Sequence, residues 1–159
     1  MALLTPAQRA LLATARTATL ATIDPDGLPR LVPICFVLSP DAPLIHTPLD
    51  EKPKRSADVR DLARVRDLVA RPAVALIVER WSEDWSQLAW LRCAGRAAIL
   101  DPVADAVVVR AVARALRAKY PQYREHDLDA RPLIRIGIER VVGWTAGGSE
   151  PAEVVSPSR

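Results

Sequence analysis

Apolar and polar positions alternate in "TATLATI" (17–23), and a second apolar-rich run, "LPRLVPICFVL" (28–38), follows after "DPDG". Alternation at period two with β-branched residues predicts half-buried strands, and Gly27 supplies the positive φ that a tight hairpin needs. A third run, "PLIHTP" (43–48), comes after the turn "SPDA". Three strands in so short a span leave no room for helical crossovers, so they form a β-meander. "RPAVALIVERW" (71–81), "QLAWLRCAGRAAIL" (87–100) and "LIRIGIERVVGW" (133–144) supply three more strands, with Gly95 marking a bulge or a close backbone approach.

Helical spacing breaks into this strand pattern three times. Thr5, Pro6 and Gln8 form a capping-box start for a short helix to about Ala15. Val59, Leu62, Val65 and Val69 fall on one face of a helix expected over 56–70. Asp101 and Pro102 are expected to cap and open a helix that runs to about Lys119. The pattern therefore predicts a mainly β (α+β) fold, a six-stranded antiparallel barrel with two or three flanking helices. One domain covers 1–146, and the small, polar segment 147–159 is expected to form a flexible tail.

Composition bounds what such a barrel does. A chain of 159 residues, half of them hydrophobic, suits one core. A net charge of +3 is too balanced for wrapping duplex nucleic acid, so any anion site must be local. No apolar run reaches the roughly 18 residues of a membrane helix. Cys35 and Cys93 lie far apart with no partner at metal-ligand spacing, and are expected to be reduced core thiols of a cytoplasmic protein without a metal.

The chemistry that stands out is cationic. Lysine occurs only at 52, 54 and 119, and Lys52, Lys54 and Arg55 fall together at a strand-to-helix junction. They are either a solvated helix entrance, with Glu51, Asp58 and Asp61 as counter-charges, or a phosphate site backed by free helix N–H groups. Trp81, Trp85 and Trp90 cluster in a chain with few aromatics, and are expected to pack at a subunit interface or to stack on a ring. His46 lies inside a strand beside Ile45, which favours a packed, hydrogen-bonded histidine over an acid catalyst, and His126 sits in a polar loop. There is no Ser-His-Asp order, no metal-binding histidine pair and no Walker or Rossmann glycine pattern.

The succession "LIHT", "KPKR", a helix, "RPAVALIVERW" and "WLRCAGRA" resembles the pyridoxamine 5'-phosphate oxidase-like split-barrel superfamily, and most closely its actinobacterial coenzyme F420-dependent (deazaflavin) branch. The resemblance spans about residues 5 to 145. It implies a homodimer of split barrels with a flavin or deazaflavin in a groove at the interface. Carried onto this chain, it puts Thr47 near the ribityl and phosphate region and makes Lys52, Lys54 and Arg55 the phosphate-binding segment, Lys54 foremost. Arg60 and Arg64 would face the phosphate or the polyglutamate tail, Pro33 and Ile34 would pass their backbone beside the ring, and Arg92 and Gly95 would match the "R-x-x-G" strand. Trp85 would line the substrate side.

Two departures narrow the resemblance. The segment "TAGGSEPAEVVSPSR" offers only Arg159 where vitamin B6 oxidases carry basic and histidine residues, which disfavours that reaction. Arg71 replaces the family's common Asn before the fourth strand's Pro. The resulting expectation is an F420-dependent oxidoreductase that passes a hydride between the deazaflavin C5 and a small substrate, the cofactor supplying the reactive atom and the protein supplying position. An FMN-binding oxidoreductase of the same fold, or a flavin- or haem-binding protein without turnover, are the alternatives.

Overall fold

The computed structural model describes residues 3–49 and 62–148 and the backbone of 154–155. The first helix, α1 (Pro6–Thr14), starts as its sequence requires: Thr5 Oγ1 accepts from Gln8 N–H at 3.2 Å, and Gln8 Oε1 accepts from Thr5 N–H at 2.9 Å. Strands β1 (Ala18–Ile23) and β2 (Pro29–Ile34) form the expected hairpin. Gly27 has φ +82°, and Asp24 Oδ1 accepts from the N–H groups of Asp26 and Leu28.

The single strand expected over 28–38 is two. After Ile34 the chain leaves the ladder and resumes as β3 (Val37–Leu38), giving seven strands along the main path where six were expected. The cause lies at Phe36. Its N–H donates to the Tyr120 hydroxyl at 3.0 Å, and its carbonyl accepts from that hydroxyl at 2.9 Å and from Lys119 Nζ at 3.0 Å. A backbone unit satisfied by side chains has no bonds left for a neighbouring strand. Lys119 also lies 4.3 Å above the Phe36 ring, and burial, with the nearby Arg16, brings its pKa down to about 8.

The remaining strands are β4 (Leu44–Pro48), β5 (Ala73–Arg80), β6 (Ala89–Leu100) and β7 (Leu133–Thr145), and the order across the sheet is β2-β1-β5-β6-β7-β4-β3, all antiparallel. Within the segment expected to be a tail, β8 (Val154–Val155) pairs with β7 at Val141 and Arg140. β2 and β3 end the path on opposite sides, yet Ile34 and Val37 are three residues apart, a reach of at most about 11 Å. The sheet must therefore curl until its edges nearly meet, which makes it a split barrel.

Alternation then sorts the side chains. Leu20, Leu76, Leu91, Cys93, Ile136 and Val141 point inward to the main core with Phe36, closed at one side by α2 (Ala63–Ala70) through Val65 and Leu68. A second core forms outside the sheet, where α3 (Ala106–Lys119) lays Val109, Val112 and Leu116 over Val37, Leu100 and Leu133. Both helices start later than their sequences suggest. Leu62 is extended at ψ 132° and packs on the main core, so α2 begins at Ala63; positions 56–61 of the helix expected there lie outside the described residues. Asp101 instead caps a turn, accepting from Val103 and Ala104 N–H, and α3 begins only after Asp105.

Gly95 occupies a β-bulge. Ala94 pairs with Arg140 and Gly95 with Ile138, leaving Glu139 as the extra residue on β7. A Cβ at Gly95 would lie 1.9 Å from the Gly137 carbonyl oxygen, whereas one at Gly137 would meet nothing closer than 3.9 Å. Gly95→Ala should therefore lower unfolding free energy by about 2–4 kcal/mol, and Gly137→Ala by no more than about 0.5 kcal/mol. Urea denaturation of the two variants checks the asymmetry, and equal midpoints would contradict it.

Candidate functional site

The outward positions of the sheet divide in two. Over β3, β4 and the first half of β7 they are roofed by α3. Over β2, β1, β5, β6 short of its end at Leu100, and the second half of β7, they are bare among the described residues. The register places Pro33, Thr19, Ile77, Arg92 and Val142 side by side in one row across five strands. The next row holds Leu31, Ala21, Ala75, Ala94 and Arg140. Leu31 is 66% exposed and Ile77 36%. Outward positions of an antiparallel sheet are ordinarily polar. Here alanines make a shallow floor beside Leu31 and Ile77, with Arg140 at the end of their row and Arg92 in the row alongside.

At one end of this face the indoles gather. Trp90 and Trp144 are cross-strand partners, and with Trp81 and Arg80 they line a recess of about 170 Å³. A larger cleft of about 590 Å³ lies on the other side of Trp90 and Trp144, beneath α1, with Gln8 and Thr14 in its wall. Trp85, 72% exposed, rides on a short 3-10 turn, Trp85–Gln87. Asp84 caps that turn, accepting from Ser86 Oγ at 2.6 Å and Ser86 N–H at 3.0 Å, and these bonds lower its pKa. The bonds order the backbone of the turn that carries this exposed indole.

Of the residues assigned from sequence, Pro33 and Arg92 are brought onto one row, about 14 Å apart at ordinary strand spacing. Ile34 is buried in the main core and paired with Ala18, so only its backbone borders the face. Thr47 points inward from β4, is 1% exposed, and has an Oγ1 with no hydrogen-bond partner; its side chain does not reach the bare face. Arg64 is half-buried in the first turn of α2. Lys52, Lys54, Arg55 and Arg60 lie outside the described residues. Arg71, the departure from the family's Asn, donates to the Pro25 carbonyl at 3.3 Å, tying the β1–β2 turn to the start of β5.

Three features escaped sequence reasoning. One is the alanine floor, whose signal was present: in β1, β5 and β6 the outward phase carries Ala21, Ala75 and Ala94 where polar residues were to be expected. Another is Trp144, which joins the other indoles only through the β6–β7 register. The last is Asp67, buried on α2 and paired with Arg30 Nε at 2.9 Å, which fastens α2 to β2.

Cys93 and His46 are buried as expected, whereas Cys35 is only half-buried and lies in the break between β2 and β3, not in a strand interior. Burial pushes the Cys93 thiol up to about 12, which leaves it inert, and Cys35 is also free. Among the described residues no group of three or more His, Cys, Asp or Glu side chains is placed to hold a metal. His46 is packed, 3% exposed, but its Nε2 has no hydrogen-bond partner. His126 instead closes the 3-10 turn Pro121–Glu125 and stacks edge-on against Tyr123.

Residues 4–145 match the model of the family described as pyridoxamine 5'-phosphate oxidase, and the chain belongs to that family. Among solved structures, a conserved hypothetical protein of Mycobacterium tuberculosis is similar at TM-score 0.70 and 19% identity, over 91% of this chain and 86% of that one. A protein named F420 reductase aligns at TM-score 0.62 and 20% identity, over 87% and 98% of the two chains. A FAD-binding protein of Mesorhizobium loti aligns at TM-score 0.63 and 20% identity, over 88% and 94%. These likenesses establish a shared fold. No curated protein matches the chain. Among the described residues no helix is long and apolar enough to cross a membrane.

Burial, with the Arg135 guanidinium, brings the His46 pKa down from 6.5 to about 4. Between those values the unfolded chain binds a proton that the folded chain does not, so stability falls as pH drops from 6.5 towards 4 and levels below it. From pH 7 to pH 5 the wild type should lose about 2 kcal/mol more than His46→Leu, measured by urea denaturation at each pH. Parallel losses in the two proteins would show that His46 is not the group responsible.

Proposed function

We propose that two copies of this chain meet across the bare outer face and hold coenzyme F420 there, making the protein an F420-dependent oxidoreductase acting on a small molecule. The observation that carries this reading is the row Pro33, Thr19, Ile77, Arg92 and Val142 beside the alanine floor. Apolar surface spread over five strands calls for a cover. A floor of methyl groups lets a flat ring lie close to the sheet, and Arg92 gives the anionic part of a cofactor a fixed positive charge. Membership of the family, and likeness to a structure named F420 reductase, support the same choice.

When bound, F420 supplies or accepts the hydride at C5. The chain's own residues then bind, orient and keep water away. Arg92 holds an anionic edge, the backbone at Pro33 and Ile34 borders the ring, and Trp81, Trp85, Trp90 and Trp144 shield the end of the face. Lys52, Lys54 and Arg55 are assigned to the phosphate, and Arg60 and Arg64 to the polyglutamate tail. No side-chain nucleophile is needed for hydride transfer.

Light scattering and fluorescence titration test both halves of the reading. The protein should be a dimer with an interface of at least about 2,000 Å² in total, and Leu31→Asp, by placing a charge in that interface, should give monomers that no longer bind F420. Arg92→Ala and Lys54→Ala should each remain dimeric and bind F420 about ten- to a hundredfold more weakly, the worth of one charge-assisted hydrogen bond. A monomeric wild type that binds F420, or a protein that takes FMN and not F420, would contradict the proposal.

A further inference from the structure

The part of the outer face roofed by α3 is not filled. A groove of about 350 Å³ runs between the helix and the strands beneath it. Its long walls are aliphatic, with Val107, Val108 and Ala111 from α3 facing Val37 and Leu44 from β3 and β4. Val107 is 76% exposed and Val108 41%, at positions on a surface helix where polar residues are the usual choice. Among the described residues no Phe, Tyr or Trp and no carboxylate lines the groove.

Its remaining wall is of a different kind. His46 on β4 and Arg135 on β7 are directly opposed in the ladder and lie on the same face of the sheet. Among the described residues Arg135 has neither an ion pair nor a hydrogen bond from its side chain. Nε2 of His46 is buried without a partner, which costs free energy that a ligand atom would restore. An unpaired guanidinium beside an unpaired imidazole nitrogen, at the side of an aliphatic groove, is complementary to an anion with an alkyl chain. Its volume, near the lower bound for ligand pockets, favours a short chain.

We propose that this groove is a second binding site, which takes the carboxylate of a short aliphatic acid against Arg135 and His46 and its alkyl chain along α3. A carboxylate suits the pair because it accepts from the guanidinium and from an imidazole N–H at once. The site is separate from the cofactor face: α3 covers one part of the sheet and leaves the other bare. Its occupancy therefore does not depend on the cofactor proposed above.

The test uses the full chain with octanoate and, as the uncharged counterpart, octan-1-ol. Methyl and imidazole resonances report binding. Octanoate should shift the Val108 and Leu44 methyls and the His46 ring saturably, and octan-1-ol should bind at least about tenfold more weakly. Arg135→Gln should bring octanoate down to the affinity of the alcohol while leaving the alcohol's own affinity unchanged. Val108→Glu, a change at the exposed lip of the groove, should weaken octanoate without altering the melting temperature, which keeps the test open should Arg135→Gln fail to fold. Absence of saturable shifts with millimolar octanoate, equal affinity for acid and alcohol, or octanoate binding unaffected by the folded variants would overturn the proposal.

Discussion

The contact on which this architecture depends is between Gly95 and the backbone of Gly137. β6 and β7 are the two longest strands and stand in the middle of the sheet, so the way they bend decides how the barrel closes. With no Cβ at Gly95, the strands approach more closely than any side chain would allow, and Glu139 is expelled as the odd residue of a bulge. Before the bulge β7 pairs its outward positions with those of β4, beneath α3; beyond it the outward positions join the bare face. One missing methyl group thus stands at the junction of two surfaces with different uses.

The second closure is made by Tyr120. Its hydroxyl and Lys119 take the backbone bonds of Phe36 out of the sheet, and the chain crosses from β2, at one edge, to β3, at the other. The same residues end α3, so the strand break and the docking of the helix are one event. Arg16 adds a cation over the Tyr120 ring at 4.6 Å and donates to the Lys119 carbonyl, which ties the start of β1 to the same point. Where α3 is fixed decides which outward residues are covered. Arg92 and the alanine floor are left outside it; His46 and Arg135 border the groove beneath it.

Much of the fold was legible because its signals are local. The capping box at Thr5, the turn at Asp24–Gly27, the long apolar strands and the bulge at Gly95 each depend on a few neighbouring residues. What was not legible depends on distant ones. The break after Ile34 is caused by a tyrosine 84 residues away from Phe36. The late start of α2 follows from Leu62 choosing the core over another helical turn. The site was legible in the same uneven way: resemblance picked out Pro33 and Arg92, but only the register shows that they share a row. Thr47 falls on the wrong phase of its strand to face the same surface, which a strand's ends alone do not reveal.

The central claim is that the bare face, and neither the barrel interior nor the α3 groove, receives the cofactor. Alanine methyl groups report this directly, because they line all three environments: Ala21, Ala75 and Ala94 on the face, Ala18 and Ala97 in the interior, and Ala111 and Ala115 along the groove. Methyl NMR of alanine-labelled protein during addition of F420 should move the first three resonances and leave the other four in place. Movement at Ala18, Ala97, Ala111 or Ala115 with Ala21, Ala75 and Ala94 unchanged would contradict the account.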